Sequence, residues 1–331
     1  MFSKDIGIDL GTANVLIYVK GKGIILNEPS VVAIDKKSNE LIAVGKEAQK
    51  MMGRTPQHIA VIRPLKDGVI HDFDITELML KHFIQVLKLK GFMMKPRILI
   101  CCPANITSIE QKAIREVAEK AGARKVYVEV EPKVAAIGAG LDIYQSDASL
   151  VIDIGGGTSD IAVLSMGEIV KSVTLKTAGD HFDLDILHYI KKTYKLLIGE
   201  RTAEQLKVEF GTLSGDQQAT MDIRGRDMLT GYPRTITLRA QEITEALRES
   251  AELVAEGVRA VLEQTPPELA SDIIDRGGVL TGGGALLGGL DRLLADRLGI
   301  PVAIAEHPKE CVALGTGKML EAKQDIFRPR R

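Results

Sequence analysis

The sequence predicts an α/β fold built from two similar halves that face each other across a cleft. Strand signals alternate with helical periodicity along the chain, which implies sheets covered by helices. A strand, glycine turn and second strand also occur twice. Ile6-Gly-Ile-Asp9-Leu-Gly11-Thr12-Ala13-Asn14-Val15 is echoed by Leu150-Val-Ile-Asp153-Ile-Gly155-Gly156-Gly157-Thr158-Ser-Asp160-Ile161, with Asp9 aligned to Asp153. A second echo follows in the same order and pairs Glu131-Pro-Lys-Val-Ala-Ala-Ile-Gly138-Ala-Gly140 with Glu310-Cys-Val-Ala-Leu-Gly315-Thr-Gly317.

Taken in order, residues 5–10, 14–19, 23–27 and 30–35 read as short strands joined by tight turns, an antiparallel start. After Asp72 the period changes to 3.6. Ile75, Leu78, Met79, Phe83, Val86 and Leu87 share one face, Asp74 and Glu77 carry a capping-box signature, and the helix ends near residues 90–91. Residues 97–102 are a continuous apolar run stopped by Pro103, the pattern of a strand buried on both faces. Thr107 and Glu110 open a helix that Gly122 closes; 126–130 is a strand and 133–141 a small-residue helix. The second half restarts at Ser149. Its later elements include a helix over 250–263, the strand before Gly282 and a helix over 290–298. Segments 41–68 and 194–239 interrupt the repeated elements and read as small inserted subdomains.

Composition narrows the function. With 331 residues, 45% hydrophobic and 26% charged, the chain suits about two ordered domains. Lys and Arg total 43 against 44 Asp and Glu, a net charge of -1, so no global field holds a polyanion and no nucleic-acid partner is expected. Aromatics are 4% with no Trp, which argues against base-stacking platforms. Cys101, Cys102 and Cys311 sit among apolar residues, as buried thiols in a reducing compartment would. The start lacks a basic region followed by an apolar stretch, and no run approaches the 18 or so apolar residues of a spanning helix. A cytoplasmic protein is expected, touching membrane only at its surface.

The 32 glycines cluster where chemistry is expected. Asp9 ends one strand, and the turn Gly11-Thr12-Ala13-Asn14 lets backbone N–H groups converge on phosphate oxygens. Asp153 and Gly155-Gly156-Gly157-Thr158 repeat the device, so two turns grip a polyphosphate from both sides. Paired aspartates suit Mg²⁺, which keeps most of its waters and is shared with nucleotide phosphates. A third cluster, Gly282-Gly283-Gly284-Ala285-Leu286, follows a strand and precedes a helix, an anion- or nucleotide-binding order. No Gly-x-x-x-x-Gly-Lys-Ser/Thr motif is present, and the spacing of a dinucleotide fold is missing. Glu204 and Lys207, one turn apart, read on spacing alone as an exposed helical ion pair. Glu131 reads equally as a strand-end cap before Pro132. Phe92, Met93 and Met94, flanked by Lys88, Lys90, Lys95 and Arg97, fit either insertion into a lipid interface or local packing.

Five segments, 6–15, 131–140, 151–163, 279–294 and 310–320, resemble in order the phosphate-1, connect-1, phosphate-2, adenosine and connect-2 motifs of the actin-like ATPase superfamily. Ile8-Asp-Leu-Gly-Thr-Ala-Asn-Val15, Asn27-Glu-Pro-Ser-Val-Val-Ala33, Gly53-Arg-Thr-Pro56, Ile62-Arg-Pro-Leu-Lys-Asp-Gly-Val-Ile70 and Leu197-Ile-Gly-Glu-Arg-Thr-Ala-Glu204 resemble the MreB family of bacterial actins. Cys101-Cys102-Pro103 and Glu131-Pro-Lys-Val-Ala-Ala136 resemble its Mbl branch most. The resemblance covers almost the whole chain.

It implies an actin-like ATPase fold of two duplicated RNase H-like halves around a nucleotide cleft. Domain I would be 1–145 plus 306–331, with an insertion at about 33–72; domain II would be 146–305, with an insertion at about 181–240. It further implies ATP (or ADP) and Mg²⁺ as cofactors. Thr12, Ala13, Asn14 and Gly155 to Thr158 would hold phosphates, and Asp9 and Asp153 a hydrated Mg²⁺. Glu204, Gln205, Leu206 and Lys207, with Gly282, Gly283, Gly284, Ala285 and Leu286, would line the nucleoside. Glu131 would orient the attacking water with help from Thr158. The implied function is an ATP-hydrolysing cytoskeletal protein that polymerises into antiparallel double filaments and directs cell-wall synthesis for rod shape. Its implied partners are further copies of itself, MreB paralogues, lipid met by Phe92, Met93 and Met94 at the inner face of the cell membrane, and elongation proteins of the MreC, MreD and RodZ type. A superfamily small-molecule kinase and a plasmid-segregating actin are the alternatives; the kinase lacks an evident base beside an acceptor hydroxyl, and a chaperone would need a further domain.

Overall fold

The computed structural model describes residues 5–89, 95–214 and 219–322. The first half opens with β1 (Asp5–Leu10), β2 (Asn14–Val19) and β3 (Gly23–Pro29). A small subdomain follows: β4 (Val32–Asp35), β5 (Leu41–Val44), α1 (Lys46–Met51) and β6 (Ile59–Ile62), with a two-stranded ribbon of β7 (Leu65–Lys66) and β8 (Val69–Ile70). Then come α2 (Phe73–Leu89), β9 (Arg97–Cys102), α3 (Ser108–Lys120), β10 (Lys125–Val130) and α4 (Glu131–Gly138). The sheet order is β10-β9-β1-β2-β3, with β1 antiparallel to β2 and parallel to β9.

The second half repeats this plan. β11 (Ser149–Ile154), β12 (Ser159–Ser165) and β13 (Glu168–Leu175) lead to α5 (Gly179–Tyr194). An inserted unit contains β14 (Leu196–Leu197), α6 (Glu200–Phe210), β15 (Thr220–Asp227) and β16 (Pro233–Arg239). The chain closes with α7 (Ala240–Glu263), α8 (Pro267–Arg276), β17 (Gly278–Thr281), α9 (Leu290–Leu298), β18 (Val302–Ile304) and α10 (Cys311–Glu321). Its sheet, β13-β12-β11-β17-β18, has the same order and directions, with β11 antiparallel to β12 and parallel to β17. The sequence echo is therefore a structural duplication.

Local chemistry explains most element ends, and several of them differ from the sequence reading. Thr107 and Glu110 do form a reciprocal capping box at α3. At α2 the cap is Asp72, whose Oδ1 accepts the Ile75 N–H at 3.0 Å; the pair Asp74 and Glu77 lies inside the helix. The long helix begins at Ala240, ten residues before its expected start, because the buried polar residues Thr244 and Ser250 break the apolar stripe without breaking the helix. Glycines after β17 form a 3-10 turn over Gly283–Leu286 before α9 starts. The three cysteines are buried free thiols, as expected.

Each sheet carries its own core, and a third cluster joins the halves through Leu99, Val134, Ala135, Val151, Ala162 and Val312. The two echoed helices, α4 and α10, pack on one another there. A Cβ on Gly138 would overlap the carbonyl of Cys311, and one on Gly315 that of Val134, so glycine sets the helix spacing. Replacing Gly315 with Ala forces the backbones apart. Gly315→Ala is expected to lower stability by about 1–3 kcal/mol, the usual cost of overpacking, read as a fall in thermal midpoint.

Candidate functional site

A cleft of about 280 Å³ opens between the two sheets. Its walls are the paired turns. In the first, between β1 and β2, the Gly11 N–H donates to the Asn14 carbonyl at 3.1 Å; in the second, between β11 and β12, the Gly155 N–H donates to the Thr158 carbonyl at 2.9 Å. The same bond stands at the same place in both halves, and turns of this kind can gather backbone amides around an anion. Ser30 braces the first turn through its hydroxyl to the Gly11 carbonyl at 2.6 Å. The start of α5 braces the second, with the Gly179 and Asp180 N–H groups donating to the Gly155 and Gly156 carbonyls.

The turns touch. A Cβ on Gly156 would stand 2.7 Å from the Ala13 Cβ, and one on Gly157 would stand 2.6 Å from the Thr12 hydroxyl, so glycine is required for this approach. The β7–β8 ribbon closes one end, where the Gly68 N–H donates to the Thr12 hydroxyl at 3.0 Å. Two ion pairs span the halves nearby, Arg63 to Asp180 at 3.4 Å and Lys176 to Asp67 at 3.5 Å.

The floor is acidic. Asp9, Glu131 and Asp153 line the cleft, and Asp160 lies buried beside them. Burial raises Asp9 to about 8, and the charge of Asp153 adds to the shift. Asp153 rises to about 7 by burial, against the opposing hydrogen bond from the Thr281 hydroxyl at 2.8 Å. Glu131, first residue of α4, is pushed well above the usual carboxylate range by burial and then by Asp160, Asp9 and Asp153. Among the described residues no three His, Cys, Asp or Glu side chains come together to hold a metal unaided. Asp9 and Asp153, two oxygen donors in one cleft, could instead hold a hydrated divalent cation such as Mg²⁺, which would relieve the crowded charge.

At the opposite wall Lys207 of α6 donates to the Gly179 carbonyl at 2.7 Å and pairs with Asp183 at 2.9 Å. It therefore does not pair with Glu204, the partner its spacing suggests. Burial raises Asp183 to about 6, and Lys207 opposes the rise. Sequence reading passed over Asp180 and Asp183, although acids three apart at the start of a helix that follows a cleft strand are a usable signal.

Most expected site residues do meet in one place. Thr12, Ala13, Asn14, Gly155, Gly156, Gly157, Thr158, Glu204, Lys207, Gly282, Gly283, Gly284 and Leu286 all line the cleft. Three residues expected beside them do not. Gln205 points outward and donates to Glu209, while Leu206 and Ala285 are buried in the core of the second half. Helical geometry explains the first two, because successive residues turn by about 100° and Glu204, Lys207 and Val208, three and four apart, share the cleft face. Phe92, Met93 and Met94 lie outside the described residues.

The family model described as MreB/Mbl protein matches residues 3–328. The chain belongs to the MreB/Mbl family. It is 63% identical over 322 residues to the cell shape-determining protein Mbl of Bacillus subtilis (strain 168), covering 97% of each chain. With the cell shape-determining protein MreB of Escherichia coli (strain K12) it shares 53% over 327 residues, covering 97% of this chain and 94% of that one. The crystal structure of MreB5 of Spiroplasma citri bound to AMPPNP superposes with a TM-score of 0.92 at 41% identity, over 97% of this chain and 96% of that one. The fold is actin-like.

The raised carboxylates have a measurable consequence. Asp9 titrates near 8 in the folded chain against about 3.8 unfolded, so the folded state holds the extra proton between those values. Stability of the ligand-free protein therefore falls as pH rises through that window. Asp9→Asn is expected to raise the thermal midpoint by several degrees at about pH 8.5 and by less at about pH 5.

Proposed function

We propose that this chain binds ATP with Mg²⁺ in the cleft, hydrolyses it slowly, and polymerises into membrane-associated filaments that direct cell-wall synthesis. The observation that carries this reading is the contact of two equivalent glycine turns above an acidic floor. A family member 41% identical to the chain binds AMPPNP, an ATP analogue, on the same fold. Domain I, taken as 1–145 plus 306–331, and domain II, taken as 146–305, close on the nucleotide from either side.

Thr12, Ala13 and Asn14, with Gly155 to Thr158, hold the phosphates through backbone amides and hydroxyls. Asp9 and Asp153 hold the hydrated cation, which neutralises phosphate charge when bound. Glu204 and Lys207 meet the nucleoside from one side and the turn beginning at Gly282 from the other. Phosphoryl transfer asks mainly for in-line placement of water and balance of charge. Glu131 orients the water, aided by Thr158. Burial and the neighbouring carboxylates raise its proton affinity, and a cation bound nearby would favour its charged form.

The relatives named for determining cell shape support a cytoskeletal role. Head-to-tail contacts between identical subunits propagate without closing, the geometry of a filament. Among the described residues no helix is long and apolar enough to cross a membrane. Membrane contact is assigned to the apolar segment Phe92, Met93 and Met94, on its sequence.

Glu131→Ala is expected to keep AMPPNP binding and slow phosphate release at least tenfold; unchanged release removes Glu131 from this role. In cosedimentation with anionic vesicles, Phe92→Ser and Met93→Ser are each expected to reduce the pelleted fraction severalfold. Equal pelleting contradicts membrane insertion by this loop.

A further inference from the structure

Asp160 is a buried carboxylate that the proposed chemistry does not use. It is 1% exposed on β12, and among the described residues no Lys or Arg forms an ion pair with it. A lone buried charge is costly unless hydrogen bonds compensate it. Here the Asp160 Oδ1 accepts the Ala104 backbone N–H at 3.1 Å and the Thr174 hydroxyl at 2.6 Å. The Thr158 side chain also favours its ionised form.

The two ends of this contact belong to different halves. Ala104 follows Pro103 just past β9, and Cys102 at the end of β9 is in register with Val130, which precedes Glu131. Asp160 lies two residues after Thr158 on the other sheet. One carboxylate thus ties the strand end beside Glu131 to the strand that follows Thr158. The joint is tightly packed: a Cβ on Gly68 would stand 3.1 Å from the Thr158 Cγ2 and would press on Pro103. An apolar residue at 160 would leave the Ala104 N–H without this acceptor and the two strand ends unregistered.

We propose that Asp160 is a positioning residue for ATP hydrolysis: by accepting the Ala104 N–H across the two halves, it fixes the placement of Glu131 relative to Thr158. This rests on the reading that Glu131 and Thr158 act on the terminal phosphate. It asks nothing of Asp160 as a ligand for nucleotide.

The test measures phosphate release and AMPPNP affinity for Asp160→Ala and Asp160→Asn, together with hydrogen exchange at the Ala104 amide. Asp160→Ala is expected to lower kcat at least tenfold with AMPPNP affinity within about threefold of the unaltered protein, and to lose protection at Ala104. Asp160→Asn keeps an acceptor oxygen in the same place, and is expected to restore both protection and most of the rate. The isosteric variant also separates positioning from failure to fold. Three results overturn the proposal: an unchanged kcat in Asp160→Ala, a rate in Asp160→Asn as low as in Asp160→Ala, or a loss that follows AMPPNP affinity. Glu131→Ala read alongside separates the two ideas. A slow Glu131→Ala with an unchanged Asp160→Ala refutes positioning alone, whereas the converse refutes the role of Glu131.

Discussion

Like charge at the bottom of the cleft constrains everything above it. Asp9, Glu131, Asp153 and Asp160 converge from the two halves; burial raises all four, and the charge of neighbouring carboxylates raises Asp9, Glu131 and Asp153 further. The cationic side chains lining the cleft are Lys207 and Lys309, and Lys207 is already engaged by Asp183. A polyphosphate entering such a site adds negative charge to negative charge. Backbone amides of the two turns would offset part of it, and a divalent cation would offset the rest. On the proposed reading, metal and nucleotide would each favour binding of the other.

Glycine decides how closely the halves come to that floor. At the back of the molecule, Gly138 and Gly315 let α4 and α10 cross with backbones touching. At the mouth, Gly156 and Gly157 let the second turn rest on Ala13 and Thr12. These contacts belong to the repeated elements, so one duplicated unit supplies both the joint between the halves and the grip above it. The hydrogen bond from Ala104 to Asp160 adds a register between the strand end beside Glu131 and the strand that follows Thr158.

Much of this was legible in the sequence because it is written in repeats. Asp9 and Asp153 align at matching strand ends, and the five-stranded sheets repeat that alignment in their order and directions. Contacts made only by tertiary packing were not legible. Lys207 looks paired with Glu204 by helical spacing, yet α5 brings Asp183 and the Gly179 carbonyl to it. Gln205 and Leu206 lie between two cleft residues in sequence but turn to solvent and core. The helix expected over 250–263 instead runs 24 residues from Ala240, with Thr244 and Ser250 buried on its packed face.

Calorimetry of AMPPNP binding with Mg²⁺ near neutral pH, in two buffers of different ionisation enthalpy, tests the central claim most directly. If the acidic floor is where cation and phosphates meet, binding releases protons from Asp9 and Asp153, and a chelator weakens the affinity at least tenfold. Binding of equal strength without the metal and with no proton release would contradict it.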